Sequence, residues 1–77
     1  MIEELDTVVL TRDLPEHRLA AGDIGAVVHR YPNGAAFEGE FVTAGAHTIA
    51  VLTLAGDDVR PLREGEILHA RQIEPAR

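Results

Sequence analysis

Short apolar runs, separated by turns that contain glycine or proline, follow one another along the chain. β-Branched residues fit the half-buried surface of a sheet, and bounded runs of this kind are typical of strands. The pattern predicts five strands, at about residues 5–10, 24–31, 36–42, 47–54 and 66–70. The intervening residues 11–22 are polar and contain Pro15, which favours a long loop over a helix.

Glycines mark the predicted turns. Gly22 and Gly25 precede the apolar part of the second strand, where the bend needs a positive φ or a close approach of the backbone. In Tyr31-Pro32-Asn33-Gly34, proline suits the second position of a turn and Asn-Gly suits the left-handed region. Ala44-Gly45 predicts the next turn, and the Gly-Asp-Asp corner at 56–58, followed by residues 59–62, predicts a single 3₁₀ turn.

A strand, a long loop, a three-strand meander, a short 3₁₀ turn and a final strand form the order of elements in an SH3-like barrel. Such a barrel closes a small sheet on itself and so limits its exposed edges. We therefore predict an all-β, five-stranded SH3-like barrel that forms one domain over residues 1–77 and is ordered from about 5 to 73. The alternative is an open five-stranded sheet that pairs with a second copy.

The chain contains the segments Leu5-Asp6-Thr7-Val8-Val9-Leu10, Asp13-Leu14-Pro15, Leu19 with Gly22-Asp23-Ile24-Gly25-Ala26-Val27-Val28, Glu38-Gly39-Glu40-Phe41, Leu52-Thr53-Leu54 and Val59-Arg60-Pro61-Leu62. Together these segments resemble the small bacterial family called domain of unknown function 4926. The resemblance covers about residues 5–62 and implies an SH3-like barrel, with an antitoxin-like or immunity-like role as one candidate function. This chain has Gly39 where a common family pattern has valine, which puts regular packing at that point in question.

Charge and composition narrow the function classes. Seven arginines, no lysine and thirteen acidic residues give a net charge of −6, which disfavours binding to phosphate backbones and suits a basic protein partner. The chain has no cysteine, which excludes disulfides and thiolate chemistry. It also has no long apolar run and begins with acidic residues, so we expect a cytoplasmic protein that does not bind membranes.

Neither catalysis nor metal binding is expected from the residues. The chain has no serine or cysteine nucleophile and no phosphate-loop or dinucleotide motif, so we predict no enzymatic activity and no cofactor. The four histidines, which are His17, His29, His47 and His69, do not have a metal-ligand spacing.

The third and fourth strands carry the candidate interface. Alternation predicts Phe37 and Phe41 in the core with Gly39 between them, which marks a bulge, a packing gap or the close approach of another backbone. The fourth strand is apolar on both faces, so Ile49 and Val51 need a cover. Ile67 and Leu68 are the internal candidates for that cover, and a partner chain is the alternative.

We therefore predict a non-enzymatic protein-interaction module for a basic protein. Its predicted interface consists of an apolar centre and an acidic rim, formed by Ile49, Val51, Glu38, Glu40, Asp57 and Asp58. Two alternatives remain open. Residues 19–28 also resemble the Gly-Asp-x-Gly-x-Val-Val pattern of KOW barrels, which bind RNA, and a domain of this size also suits a homo-oligomeric structural role.

Overall fold

The computed structural model describes residues 2–73, which form one five-stranded antiparallel sheet. The strands are β1 (Thr7–Leu10), β2 (Ile24–Arg30), β3 (Ala36–Val42), β4 (Thr48–Ala55) and β5 (Val59–Pro61). They lie in the order β4-β3-β2-β1-β5. The all-β class and the SH3-like order of elements are confirmed, and β4 and β5 form the two edges of a sheet that does not close within residues 2–73.

The connections agree with the predicted turns. The long loop after β1 contains only one 3₁₀ turn, Pro15–His17, and a second 3₁₀ turn, Gly56–Asp58, links β4 directly to β5. The turn between β2 and β3 is the 3₁₀ turn Pro32–Gly34, in which Asn33 and Gly34 have φ of 69° and 65°. Gly22 is also left-handed, with φ of 93°. In the turn after β3 the left-handed residue is Ala46.

The predicted position of the last strand was wrong. Residues 66–70 form no strand, and the final strand is β5, which pairs with β1 through Val8–Pro61, Val9–Arg60 and Leu10–Val59. The short 3₁₀ turn Gly56–Asp58 places β5 beside β1, so this edge of β1 is not open to residues 66–70. Val59 is consequently buried, whereas Ile67 is 91% exposed and Leu68 is 66% exposed.

The core receives side chains from every strand and from the long loop. It contains Val8, Leu10, Leu14, Leu19, Val27, Phe37, Phe41, Leu54 and Val59. Leu14 and Leu19 exchange two backbone hydrogen bonds, with N···O distances of 2.9 and 3.1 Å, which close the long loop on itself. The burial of both side chains in the core packs this loop against the sheet. Burial of such side chains is the main stabilising contribution in a domain of this size.

Two bulges interrupt the sheet. Val27 pairs with Gly39 and His29 with Glu38, which leaves Val28 as an extra residue in β2. Gly39 is therefore opposite a bulge and is not itself bulged. A Cβ atom at Gly39 would be 3.0 Å from Cδ1 of Leu54, so the close neighbour is a core side chain and not another backbone.

The second bulge changes the predicted orientation of Ile49. Phe41 pairs with Ala50 and Val42 with Thr48, so Ile49 is the extra residue in β4. Ile49 is half-buried against the core, whereas Val51 is 52% exposed. The prediction that these two side chains share one uncovered face was wrong. The prediction that Ile67 and Leu68 cover that face was also wrong, because both are exposed.

Candidate functional site

The outer face of β2, β3 and β4 has two glutamates at its centre. Along β3, Phe37, Gly39 and Phe41 are buried, whereas Glu38 and Glu40 lie on the opposite side and are partly exposed. The strand register places Glu40 between Ala26 of β2 and Val51 of β4, and Glu38 between His29 of β2 and Thr53 of β4. We refer to this surface, formed by Ala26, Val28, His29, Glu38, Glu40, Val42, Val51 and Thr53, as the outer face.

Hydroxyl groups hold both glutamates in place. The Tyr31 hydroxyl donates to Oε1 of Glu38 at 3.1 Å, and the Thr53 hydroxyl donates to the same oxygen. The hydrogen bond to Glu38 raises the pKa of Tyr31, because an ionised phenol could not donate this bond. Thr48 donates to Oε2 of Glu40 at 3.0 Å. These donors are neutral, so they orient the two carboxylates without cancelling their charge.

Half-exposed valines surround the two glutamates. Val28 is 44% exposed, and Val42 and Val51 are each 52% exposed. Beside them, the rings of His29 and Tyr31 meet edge to face with centroids 4.7 Å apart. Nδ1 of His29 lies 3.5 Å from Oε2 of Glu4, which brings a third carboxylate to this end of the surface. The outer face thus combines apolar area with negative charge.

The structure does not bring the whole predicted acidic rim together. Asp58 accepts a hydrogen bond from the Ala55 amide at 3.0 Å and pairs with Nε of Arg12 at 2.7 Å. The hydrogen bond from Arg12 lowers the pKa of Asp58. Asp58 is therefore engaged in holding the 3₁₀ turn to the long loop. Asp57 is exposed in the same turn, beyond the end of β4, and its carbonyl accepts a hydrogen bond from Thr11 at 2.6 Å.

Two arginine clasps hold the segment after β5, and the sequence interpretation missed both. Arg60 forms a bidentate pair with Glu66 at 2.8 and 2.6 Å. Arg71 forms another with Asp23, just before β2, at 2.8 and 2.5 Å. Each arginine lowers the pKa of its acid, and Arg60 together with the Arg63 amide brings the pKa of Glu66 to about 2. No short motif could have revealed the second clasp, because its partners are 48 residues apart.

The Arg71 clasp places residues 69–73 beside a cleft of about 460 Å³. The sheet and the long loop contribute Leu19, Ile24, Phe41 and Ile49 to its lining. Ile49 therefore lies at the end of the sheet that faces this segment and does not lie on the outer face.

Two structural features are absent from the described part of the chain. Residues 2–73 contain no group of three or more histidine or acidic side chains arranged to hold a metal ion. Over the same residues there is no helix of the length and apolar character needed to span a membrane.

Comparison with known proteins identifies a family. No curated protein and no solved structure matches this sequence. The family model described as Domain of unknown function (DUF4926) matches residues 4–61, well over half of the chain. The matched region begins just before β1 and ends with β5, so it contains the complete sheet, whereas the segment held by Arg71 lies outside it. The chain belongs to the DUF4926 family.

Proposed function

We propose that this protein is a non-enzymatic interaction module that binds a basic protein through its outer face. The observation that supports this proposal is the position of Glu38 and Glu40, two charged side chains held by neutral hydroxyls at the centre of a partly apolar sheet face. The surrounding valines are half-exposed, so a partner that covers them removes apolar area from water. Each square ångström covered contributes roughly 25 cal/mol.

The two carboxylates supply specificity for positive charge. A guanidinium or ammonium group that approaches Glu38 or Glu40 forms charge-assisted hydrogen bonds, which are about twice as strong as neutral ones. The net charge of −6 attracts a basic partner over a longer range and increases its association rate. The same charge repels the phosphates of RNA, so the outer face favours a protein partner over the KOW-like alternative.

The proposal also includes the biological setting that the family resemblance implies. We propose that the module acts in a bacterial cytoplasm, where an antitoxin-like or immunity-like protein would cover a basic surface of its target. The family description assigns no function. This part of the proposal therefore rests on the family resemblance, and the acidic, partly apolar outer face supports only the basic character of the target.

The test is affinity capture from the native host by the tagged wild-type protein and two charge-matched variants. Glu38→Gln/Glu40→Gln removes two charges from the outer face and preserves side-chain size. Glu3→Gln/Glu64→Gln removes two charges from exposed positions outside that face. Captured proteins are identified by mass spectrometry at low and high salt.

We expect a basic protein that the wild type and the Glu3→Gln/Glu64→Gln variant retain and the Glu38→Gln/Glu40→Gln variant loses. Its capture should weaken with salt, because screening reduces attraction between exposed charges. Equal capture by both variants would refute a role for the outer face. Recovery of only further copies of this protein would support the homo-oligomeric alternative instead.

A further inference from the structure

The free edge of β4 is the longest unpaired strand edge in the structure. β4 spans eight residues, Thr48–Ala55, and pairs only with β3 among residues 2–73. Its other edge therefore presents backbone N–H and C=O groups along a strand of roughly 27 Å. The opposite edge strand, β5, is only three residues long.

The sequence of β4 lacks the usual protection of an exposed edge. The strand reads Thr-Ile-Ala-Val-Leu-Thr-Leu-Ala and contains no charged residue, proline or glycine. Natural edge strands are commonly protected by lysine, by proline, by bulges or by being short. Here the bulge at Ile49 affects only the beginning of the strand, so the part from Ala50 onward continues as a regular, uncharged edge.

A groove of about 270 Å³ runs beside this edge. One wall is β4 from Val51 to Leu54, and the other is the long loop, with Leu14, Glu16 and His17. The two sides of the edge differ in chemistry. On the groove side the accessible apolar side chain of β4 is the half-buried Leu52, because Leu14 and Leu54 are buried in the core. Glu16 and His17, together with the Arg12–Asp58 pair, make the rest of this side polar. On the outer side they are Val51 and Thr53, with Glu40 and Glu38 on the adjacent strand.

From this arrangement we infer that the β4 edge binds an extended segment of the partner as a sixth strand. The side chains of an added strand alternate between the two faces. On the groove side the side chain opposite Leu52 should be apolar, because Leu52 is the apolar side chain that is accessible there, whereas those on the outer side approach Glu38 and Glu40 and should be basic. The recognised segment therefore alternates basic and apolar residues. A second copy of this chain is a poorer occupant, because its own β4 carries no basic residue and each copy has a net charge of −6.

This inference rests on the proposed function, and its test uses the full chain with synthetic peptides. The first peptide is an octamer of alternating arginine and valine with blocked ends. The second has the same composition in two blocks, four arginines followed by four valines. The third is the alternating peptide with every internal amide N-methylated, which keeps its charge but prevents strand pairing. Titrations are followed by amide NMR, and hydrogen exchange is measured along β4.

We expect the alternating peptide to bind and to slow exchange of those β4 amides that exchange rapidly in the free protein. The block peptide and the N-methylated peptide should each bind at least tenfold more weakly.

The outcomes separate the two proposals. Equal binding of all three peptides without protection of β4 would overturn strand addition but retain a basic ligand on the outer face. If none of the three peptides bound at millimolar concentration, both proposals would be overturned. If exchange of the β4 amides slowed with increasing protein concentration in the absence of peptide, a second copy of this chain would be identified as the occupant.

Discussion

The ring of Phe41 lies directly against the backbone of Gly25. A Cβ atom at residue 25 would be 2.6 Å from Cε2 of that ring, which is too close for two carbon atoms that are not bonded to each other. Gly25 in β2 and Phe41 in β3 are both buried, and the Phe41 side chain is among the largest that are fully enclosed. The missing side chain at residue 25 thus makes room for the principal aromatic residue of the core.

Gly25→Ala should therefore destabilise the fold. The added methyl group forces the Phe41 ring out of its position, and overpacking of this kind costs about 1 to 3 kcal/mol of unfolding free energy. Urea denaturation measures the change. Gly65→Ala is the matched control, since a Cβ atom at Gly65 would have no neighbour within 4 Å. Comparable losses in both variants would contradict a specific contact with Phe41.

Ile49 and Val51 should respond differently to the same substitution. Ile49 packs against the core, so Ile49→Asp buries part of a charge without a partner and should cost about 2 kcal/mol or more. Val51 is half-exposed on the outer face, and Val51→Asp should change unfolding free energy by only about 1 kcal/mol or less. Thermal and urea denaturation of both variants test this difference. A larger loss of unfolding free energy for Val51→Asp than for Ile49→Asp would contradict the assignment of the bulge to Ile49.

Ala46 occupies a conformation that glycine adopts more easily. Its φ is 65°, and the left-handed region costs a residue with a side chain roughly 1 to 2 kcal/mol. Ala46→Gly relieves this cost but also increases the entropy of the unfolded chain, so we expect a net stabilisation of about 0.5 to 1 kcal/mol. Ala44→Gly, in the same turn, should not stabilise, because the φ of Ala44 is not positive. Calorimetric melting temperatures of the two variants give the comparison.

The turn after β5 should open at low pH. Hydrogen bonds from Arg60 and from the Arg63 amide lower the pKa of Glu66 from 4.5 to about 2. As the pH falls, the Glu66 carboxylate is therefore protonated at a higher pH in the open form than in the closed form. The contribution of Glu66 is complete above about pH 4.5 and is lost between there and about pH 2.

Amide exchange and chemical shifts of residues 62–67, measured from pH 6 to pH 2, test this expectation. Glu66→Gln should show weakened protection already at pH 6 and little further change on acidification. Glu64→Gln, two residues away, should retain the pH dependence of the wild type. A turn that remained equally protected at every pH would show that the Arg60 pair does not hold it.

Local signals were sufficient for much of the fold. Asn33 and Gly34 adopt the left-handed turn that their residue types favour, and the alternation along β3 correctly separates Phe37 and Phe41 from Glu38 and Glu40. These features depend on the intrinsic preferences of neighbouring residues and on the two-residue period of a strand. They can therefore be inferred without knowing which strands pair.

Features that depend on pairing could not be inferred in the same way. The apolar character of Ile67 and Leu68 suggested a final strand, but β5 occupies the edge of β1 that such a strand would need. A bulge at Ile49 reverses the face expected from simple alternation. In the candidate site, Glu38 and Glu40 lie on the outer face as predicted. Asp58 instead forms an ion pair with Arg12, which lies in a loop distant in sequence.

The sequence by itself determined the element types, the main turns, the negative charge and the side of β3 on which its glutamates lie. Each of these properties follows from composition or from residues close together in the chain. Only the tertiary structure decided which segment completes the sheet, where Ile49 points, which acids are paired with arginine and that the edge of β4 remains free. The physical reason is that these outcomes depend on competition between segments far apart in sequence for the same strand edges and charged partners.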